Sequence, residues 1–209
     1  MGSNVLTATV TIRGVRPLFF HKFGQESIPL EKGEKRPGVP GNTPGEWRGT
    51  TFATKEGQLY VDPSYIFGTI RDGARHTKKG RGSIQSDVVA TLQCLDDVVL
   101  IDRWLPGFPN GHDCDLEAIP APNEDRTQPV YLDVRGAVNP SNRARNVRYR
   151  IAASAGWSTT FHISFDKTIV PRTLMQAAVI DAGKNCGVGD ARKIGMGRFE
   201  MVSFDVDEA

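Results

Sequence analysis

Cysteine is scarce in this chain, and the few present do not pair. Cys94, Cys114 and Cys186 are three in 209 residues, an odd number at wide spacings. They form neither a disulfide framework nor a CxxC zinc pair, so the expected setting is a reducing cytoplasm. Long apolar runs are missing too. No stretch approaches the roughly 18 residues that a membrane-spanning helix needs. The opening residues lack the basic-then-apolar order of an export signal, which adds to the expectation of a cytoplasmic protein without membrane contact. Motifs that mark many enzymes are also absent. His21, His76, His112 and His162 lie scattered, with no HExxH pattern among them. The run His112-Asp113-Cys114-Asp115 holds metal-ligating residue types, but adjacent residues cannot all converge on one ion. No metal and no cofactor is therefore expected. A P-loop is excluded because the glycine run near the C-terminus lacks the closing Gly-Lys-Ser/Thr.

What remains is a globular composition, 39% hydrophobic and 24% charged, enough to build a sizeable core. The net charge of +2 is small, and its distribution is more informative. Arg71, Arg75, Lys78, Lys79 and Arg81 stand against Asp72 alone. Arg135, Arg143, Arg145, Arg148 and Arg150 occupy a stretch with no acidic residue. Acidic residues gather at Asp96, Asp97 and Asp102, from Asp113 to Glu117, and from Asp205 to Glu208. Such segregation points to a side that faces a polyanion.

Hydrophobic periodicity outlines the elements. Leu6, Ala8, Val10 and Ile12 alternate with threonines, the period of a half-buried strand. Phe161, Ile163 and Phe165 alternate with His162 and Ser164 in the same way, and Phe199 to Val206 forms a last strand. Shorter strands are expected at Val98–Ile101, Val130–Val134 and Val147–Ile151. Pro63 to about Lys78 reads as a helix, with Pro63 in its first turn and Ile66, Ile70 and Ala74 as its apolar stripe. Pro171 to Asn185 reads as a second helix, with Gly183 or Gly187 placed to cap it. The order β-α-β, insertion, β-α-β predicts an α+β protein with a ferredoxin-like, RRM-like core. One domain is expected over 1–209, with insertions at about 24–60 and 102–157. The first insertion, rich in Gly, Pro and charge, is expected to be a long mobile loop.

The densest signal is GVGDARKIGMG, Gly187 to Gly197, followed by Arg198 and Phe199. Gly187, Gly189, Gly195 and Gly197 form two Gly-hydrophobic-Gly units around Arg192 and Lys193. Glycines at this spacing let backbone approach backbone, or a phosphate, with no Cβ in the way. Successive N–H groups in such a loop make an anion-binding concavity, to which the basic side chains add. The loop is thus expected to contact a nucleic-acid backbone or to support such a contact.

With Val188 and Met196 at its hydrophobic positions, this GhGxxxxxGhG pattern resembles the C-terminal glycine-rich loop of the RAMP superfamily of CRISPR-associated proteins. The segment VDPSYIFGTIRDGARH, Val61 to His76, is similar to the turn and first helix of those proteins, without the usual glycine in its turn. The run GVGDARKIGMGRF also looks like the C-terminus of uncharacterised prophage proteins. The first resemblance implies a non-catalytic subunit that coats single-stranded guide RNA in an antiviral effector complex. Its partners would be copies of itself packed head to tail and other effector subunits. It also implies an alternative, a metal-independent endoribonuclease that uses His21 or His76 to assist attack by a 2′-hydroxyl. The prophage resemblance implies a further one, a phage single-stranded DNA-binding or annealing protein. An interaction protein that binds no nucleic acid is the remaining reading.

Binding has the stronger support in the residues. Arg143, Arg145, Arg148 and Arg150 are spaced to line a groove, and arginine's planar fork suits phosphate. Arg71 and Arg75, then Lys78, Lys79 and Arg81, make a second basic cluster, and Arg192, Lys193 and Arg198 a third. Trp47, inside the first insertion, is the aromatic expected to meet an unpaired base. Trp157 is a second stacking candidate, while core packing is the expected place of Phe19 and Phe20. Neutralising roughly five phosphates would give a log-affinity slope near −3.5 against log salt, at about −0.7 per contact on a single strand.

Overall fold

The computed structural model describes residues 4–22, 44–108, 115–138, 143 and 145–207. In chain order the elements begin with strands β1 (Val5–Gly14) and β2 (Leu18–Phe19), helix α1 (Glu46–Thr50), strand β3 (Gln58–Val61) and helix α2 (Pro63–Ala74). Strands β4 (Lys78–Lys79) and β5 (Gly82–Ser83), helix α3 (Gln85–Thr91) and strands β6 (Gln93–Cys94) and β7 (Val99–Trp104) follow. The chain continues through β8 (Val130–Val138), β9 (Arg145–Ala153), β10 (Ser158–Asp166), helix α4 (Arg172–Asp181) and β11 (Phe199–Asp207). It is an α+β protein. Among the described residues, no helix is long and apolar enough to cross a membrane. His112, Asp113 and Cys114, residue 23 and residues 24–43 of the first insertion lie outside the described residues.

The chain divides into two compact units. The first comprises Met1–Leu18, Tyr60–Asp102 and Ala155–Ala209. Its sheet has the order β11-β1-β10-β6, with every neighbouring pair antiparallel. Helix α2 lies between β1 and β6 in the chain, and α4 between β10 and β11. Each helix thus links two parallel strands that have one strand between them. The threonine alternation of β1 has a direct consequence here. Ala8 sits between Ile163 and Val206, and Val10 between Phe161 and Phe204, so one face of the sheet is apolar. Ile66, Ile70 and Ala74 of α2 and Met175, Ala178 and Val179 of α4 are buried with it. On the opposite face, Thr9 lies between His162 and Asp205, and Thr11 between Thr160 and Ser203. That face carries hydroxyl, imidazole and acidic groups at these rows rather than the rings of Phe, Tyr or Trp.

Helix α2 starts as its sequence dictates. Asp62 accepts from the Ser64 N–H at 2.8 Å, and Pro63 occupies the first turn. It stops at Ala74, short of Lys78, because the chain turns into the β4–β5 hairpin around Gly80. The second expected helix is regular only to Asp181 and widens into a π turn over Ala182–Cys186. Gly183 is required in that turn, since a Cβ there would lie 2.2 Å from the Phe199 carbonyl oxygen.

The second unit comprises Phe19–Leu59 and Arg103–Ser154, segments that overlap the two insertions read from the sequence. A three-stranded sheet of order β2-β9-β8 is its frame. Strands β8 and β9 pair from Val130 opposite Ala153 to Val138 opposite Arg145. Residues 44–57 correct the expected loop, because they fold into α1 and a tight turn at Gly57. Trp47 of α1 is 0% exposed. It cannot offer a face to a base: it is core, with the Arg48 guanidinium 4.5 Å from its ring centre. Trp157, in the first unit, is also fully buried and donates from Nε1 to the Arg16 carbonyl at 2.9 Å. Phe19 and Phe20 are buried in turn, as core packing predicts.

Candidate nucleic-acid interface

The glycine run explains itself once its dihedral angles are known. Gly187, Gly189, Gly195 and Gly197 all have φ between +69° and +84°, a region that side chains with a Cβ rarely adopt. Two of them also answer to space. A Cβ at Gly197 would lie 1.8 Å from the Val188 carbonyl oxygen, and one at Gly187 would lie 2.6 Å from that of Met196. The two Gly-hydrophobic-Gly units therefore clasp each other backbone to backbone, joined by the Val188 N–H donating to the Gly197 carbonyl at 2.9 Å. Val188 and Met196 are buried beneath the clasp. At Gly195 a Cβ would meet nothing within 4 Å, so only its φ of +84° asks for glycine.

The loop's amides are largely spent inside the protein. Gly187 N–H donates to Ala182, Gly195 N–H to Arg192 and Gly197 N–H to Pro17, at 2.7 to 2.9 Å. Thr69 of α2 donates its hydroxyl to the Gly187 carbonyl at 3.0 Å. This is a brace rather than an open row of N–H groups. What it presents outward is the turn Arg192–Ile194, with Lys193 exposed.

Between that turn, the π turn and the end of α2 lies a cleft of about 360 Å³. Four permanent cations line it: Arg75, Arg192, Lys193 and Arg198. His76, Asn185, Cys186 and one carboxylate, Asp72, complete the wall. Asp72 accepts from Arg71 Nε and Nη2 at 3.0 and 2.9 Å through Oδ1, and from Arg192 Nη1 at 3.2 Å through Oδ2. Arg198 Nη1 is buried without a hydrogen-bond partner among the described residues. A buried guanidinium N–H without an acceptor is costly. Burial pushes the Cys186 thiol pKa up, and the Asp72 charge adds to that, against Arg198, Arg192 and Arg75.

The cluster from Arg71 to Arg81 is partly free. Arg75 and His76 line the cleft, and the β4–β5 hairpin begins two residues later with Lys78, Lys79 and Arg81 exposed. Lys79 is paired with Asp87 at 2.7 Å.

The arginine-rich β9 is a different case, and it corrects an expectation. Arg148 is only 8% exposed and Glu46 1% exposed. Arg148 Nε lies 3.0 Å from Glu46 Oε1, and its Nη2 lies 3.3 Å from His21 Nε2. Arg148 therefore belongs to a buried ion pair, not to a groove for phosphate. Across the hairpin, half-buried Arg150 faces the fully buried Asp133. Arg135 binds Asp133 with two hydrogen bonds, which raise the Arg135 pKa, and its guanidinium stands 4.8 Å from the Phe19 ring centre. Arg143 is exposed, with φ +57°, and Arg145 opens β9 opposite Val138. Of the two candidate catalysts, His21 contacts Arg148 in the second unit, while His76 lines the cleft of the first.

Three lining residues escaped the sequence reading as binding groups. Asp72 stands out in the sequence only as a carboxylate among arginines, Asn185 as the end of a helix and Cys186 as one of three unpaired cysteines. Their position immediately before Gly187 was the available signal. Trp104 was missed as well. It is 52% exposed at the end of β7, where it follows the exposed Leu100 and Asp102 at alternate positions. Among the described residues, no three His, Cys, Asp or Glu side chains gather as a metal site would require.

Sequence comparison adds no family: no family model matches the chain, and no curated protein matches it at a significant level. Comparison of folds does find similarity. The chain is similar to a chain in the cryo-EM structure of the Type III-B Cmr-beta bound to cognate target RNA, with a TM-score of 0.53 and 12% sequence identity. The match covers 98% of this chain and 61% of that one, so this protein spans about three fifths of its neighbour's length. At that identity the likeness is one of fold: a basic, glycine-braced cleft stands on a fold similar to that of a chain from this complex.

Proposed function

We propose that this protein binds single-stranded RNA without cutting it, as a RAMP-like subunit coating a guide RNA within an effector complex. The cleft carries this reading: four cations against one carboxylate. A phosphodiester is the anion that fits several guanidinium groups at once. The strand order β11-β1-β10-β6 with its two β-α-β crossings supports a ferredoxin-like core. Likeness of fold to a chain of an RNA-bound complex supports the choice of ligand. Lys78 and Arg81 offer further phosphate contacts beyond the cleft. Head-to-tail copies of the chain, with other effector subunits at the ends, belong to the same proposal.

One observation favours a second reading, a metal-independent endoribonuclease. His76 lines the same cleft as the four cations, and a histidine beside a bound phosphodiester can take the proton of a 2′-hydroxyl. One experiment addresses both readings. Nucleic-acid-free protein is mixed with single-stranded RNA, single-stranded DNA and duplex over a salt series, on native and denaturing gels. The RNA-coating reading expects intact strands and a slope near −3.5 for roughly five phosphate contacts. Discrete RNA products that vanish in His76→Ala would establish the nuclease instead. Binding to none of the strands would end both readings.

A further inference from the structure

We infer that Asp72 and Asn185 recognise the ribose 2′-hydroxyl of a nucleotide seated in the cleft, which makes the site selective for RNA over DNA. This rests on the nucleic-acid reading above and adds to it the identity of the sugar. The cations cannot supply that choice, because RNA and DNA present the same phosphates. The 2′-hydroxyl is the group that differs, and it is both a donor and an acceptor.

A cleft built for phosphate alone has no use for a carboxylate, since like charge repels the ligand. Asp72 nevertheless lines it. Arg71 occupies Oδ1 and Arg192 occupies Oδ2, and these two guanidinium groups fix the carboxylate's orientation. An ionised carboxylate offers about four lone-pair directions, so acceptor capacity remains after both arginines are served. A phosphodiester oxygen has no proton to give it. A ribose hydroxyl has one.

Asn185 supplies the complement. It lies on the π turn Ala182–Cys186, is exposed, and has no side-chain hydrogen bond among the described residues. Its amide holds one acceptor oxygen and two donor hydrogens, which suits a group that both gives and receives. The π turn packs on α2, which carries Asp72, and Gly73 lets the two approach, since a Cβ there would lie 2.5 Å from Ala182 Cα. Both polar groups are thus held by the same packed pair of elements.

The test uses the full chain and three labelled oligonucleotides of one sequence: RNA, DNA and 2′-fluoro RNA. The fluoro sugar keeps the RNA pucker but cannot donate, so it separates hydrogen bonding from strand shape. The wild type is expected to bind RNA about tenfold tighter than either other strand, the value of one hydrogen bond to a charged acceptor. Asn185→Ala and, separately, Asp72→Ala should bring the three affinities to within about twofold of each other. Asp72→Ala should also tighten DNA binding, because it removes a negative charge. Lys193→Gln should weaken all three strands by the same factor. Because Asn185 is exposed, its variant keeps the test valid even if Asp72→Ala perturbs folding. An RNA preference unchanged in both variants, or 2′-fluoro RNA bound as tightly as RNA, would overturn the inference. Wild-type protein that binds RNA and DNA equally would overturn it too, while leaving the nucleic-acid reading intact. Binding to no strand would remove that reading itself.

Discussion

Two arginine-rich regions of this chain look alike as sequence and differ in what they can do. In the second unit, β9 and its neighbours spend their guanidinium groups internally: Arg148 on Glu46 and Arg135 on Asp133. Both carboxylates are buried, so each arginine neutralises a charge that could not otherwise stay there. In the first unit the balance reverses. Asp72 is shared between Arg71 and Arg192, and Arg75, Lys193 and Arg198 share the same cleft with no carboxylate of their own among the described residues. A basic stretch binds a polyanion only with the charge that the fold leaves unspent.

The largest effect expected from this contrast lies in the brace. Gly197→Val places a Cβ 1.8 Å from a backbone oxygen at φ +69°, and neither fault can be relieved by a side-chain shift. It should cost more than about 4 kcal/mol in chemical unfolding. Gly195→Ala, with open space around it, should cost only about 1–2 kcal/mol through its positive φ. Equal losses in the two would break the claim that the Gly-hydrophobic-Gly units clasp each other.

Next comes Arg148→Ala. Removing one partner of a buried pair takes the counter-charge from the Glu46 carboxylate, at a cost of about 3–5 kcal/mol. Arg148→Met with Glu46→Gln should recover much of that loss. Under conditions where Arg148→Ala remains folded, its RNA affinity should stay close to that of the wild type. A stable Arg148→Ala protein with weakened RNA binding would place the ligand on the second unit instead.

The smallest effect is a chemical one, and it reports on the cleft directly. With its pKa raised by burial and by Asp72, the Cys186 thiol holds its proton to higher pH than a free cysteine. Thiolate is the reactive form. Alkylation of Cys186, followed by peptide mapping, should therefore be slower than that of a free thiol at pH 8 and should accelerate as pH rises. Asp72→Ala should speed it, because one cause of the raised pKa is gone.

How much of this was legible beforehand follows the range of the forces involved. The strands around Val10, Phe161 and Phe204 and the helix at Ile66 were readable because periodicity is local. The glycine run was readable because positive φ leaves a residue signature. Trp47 was misread for the opposite reason. Its segment has the composition of a loop, and only the packing of distant strands buries it. Arg148 was misread because Glu46, its partner, lies in a different segment and no sequence rule pairs them. The cleft itself fell between the two cases: its arginines were named, while Asp72 and Asn185 acquire meaning only where α2 meets the π turn.

The most direct test of the central claim is a charge reversal confined to the cleft. Arg75 and Lys193 are both exposed, so Arg75→Glu with Lys193→Glu should leave the unfolding midpoint where it is. Affinity for single-stranded RNA, measured on that double variant at fixed salt, should fall by more than about tenfold. An affinity equal to that of the wild type, in a protein just as stable, would contradict the assignment of the cleft as the nucleic-acid interface.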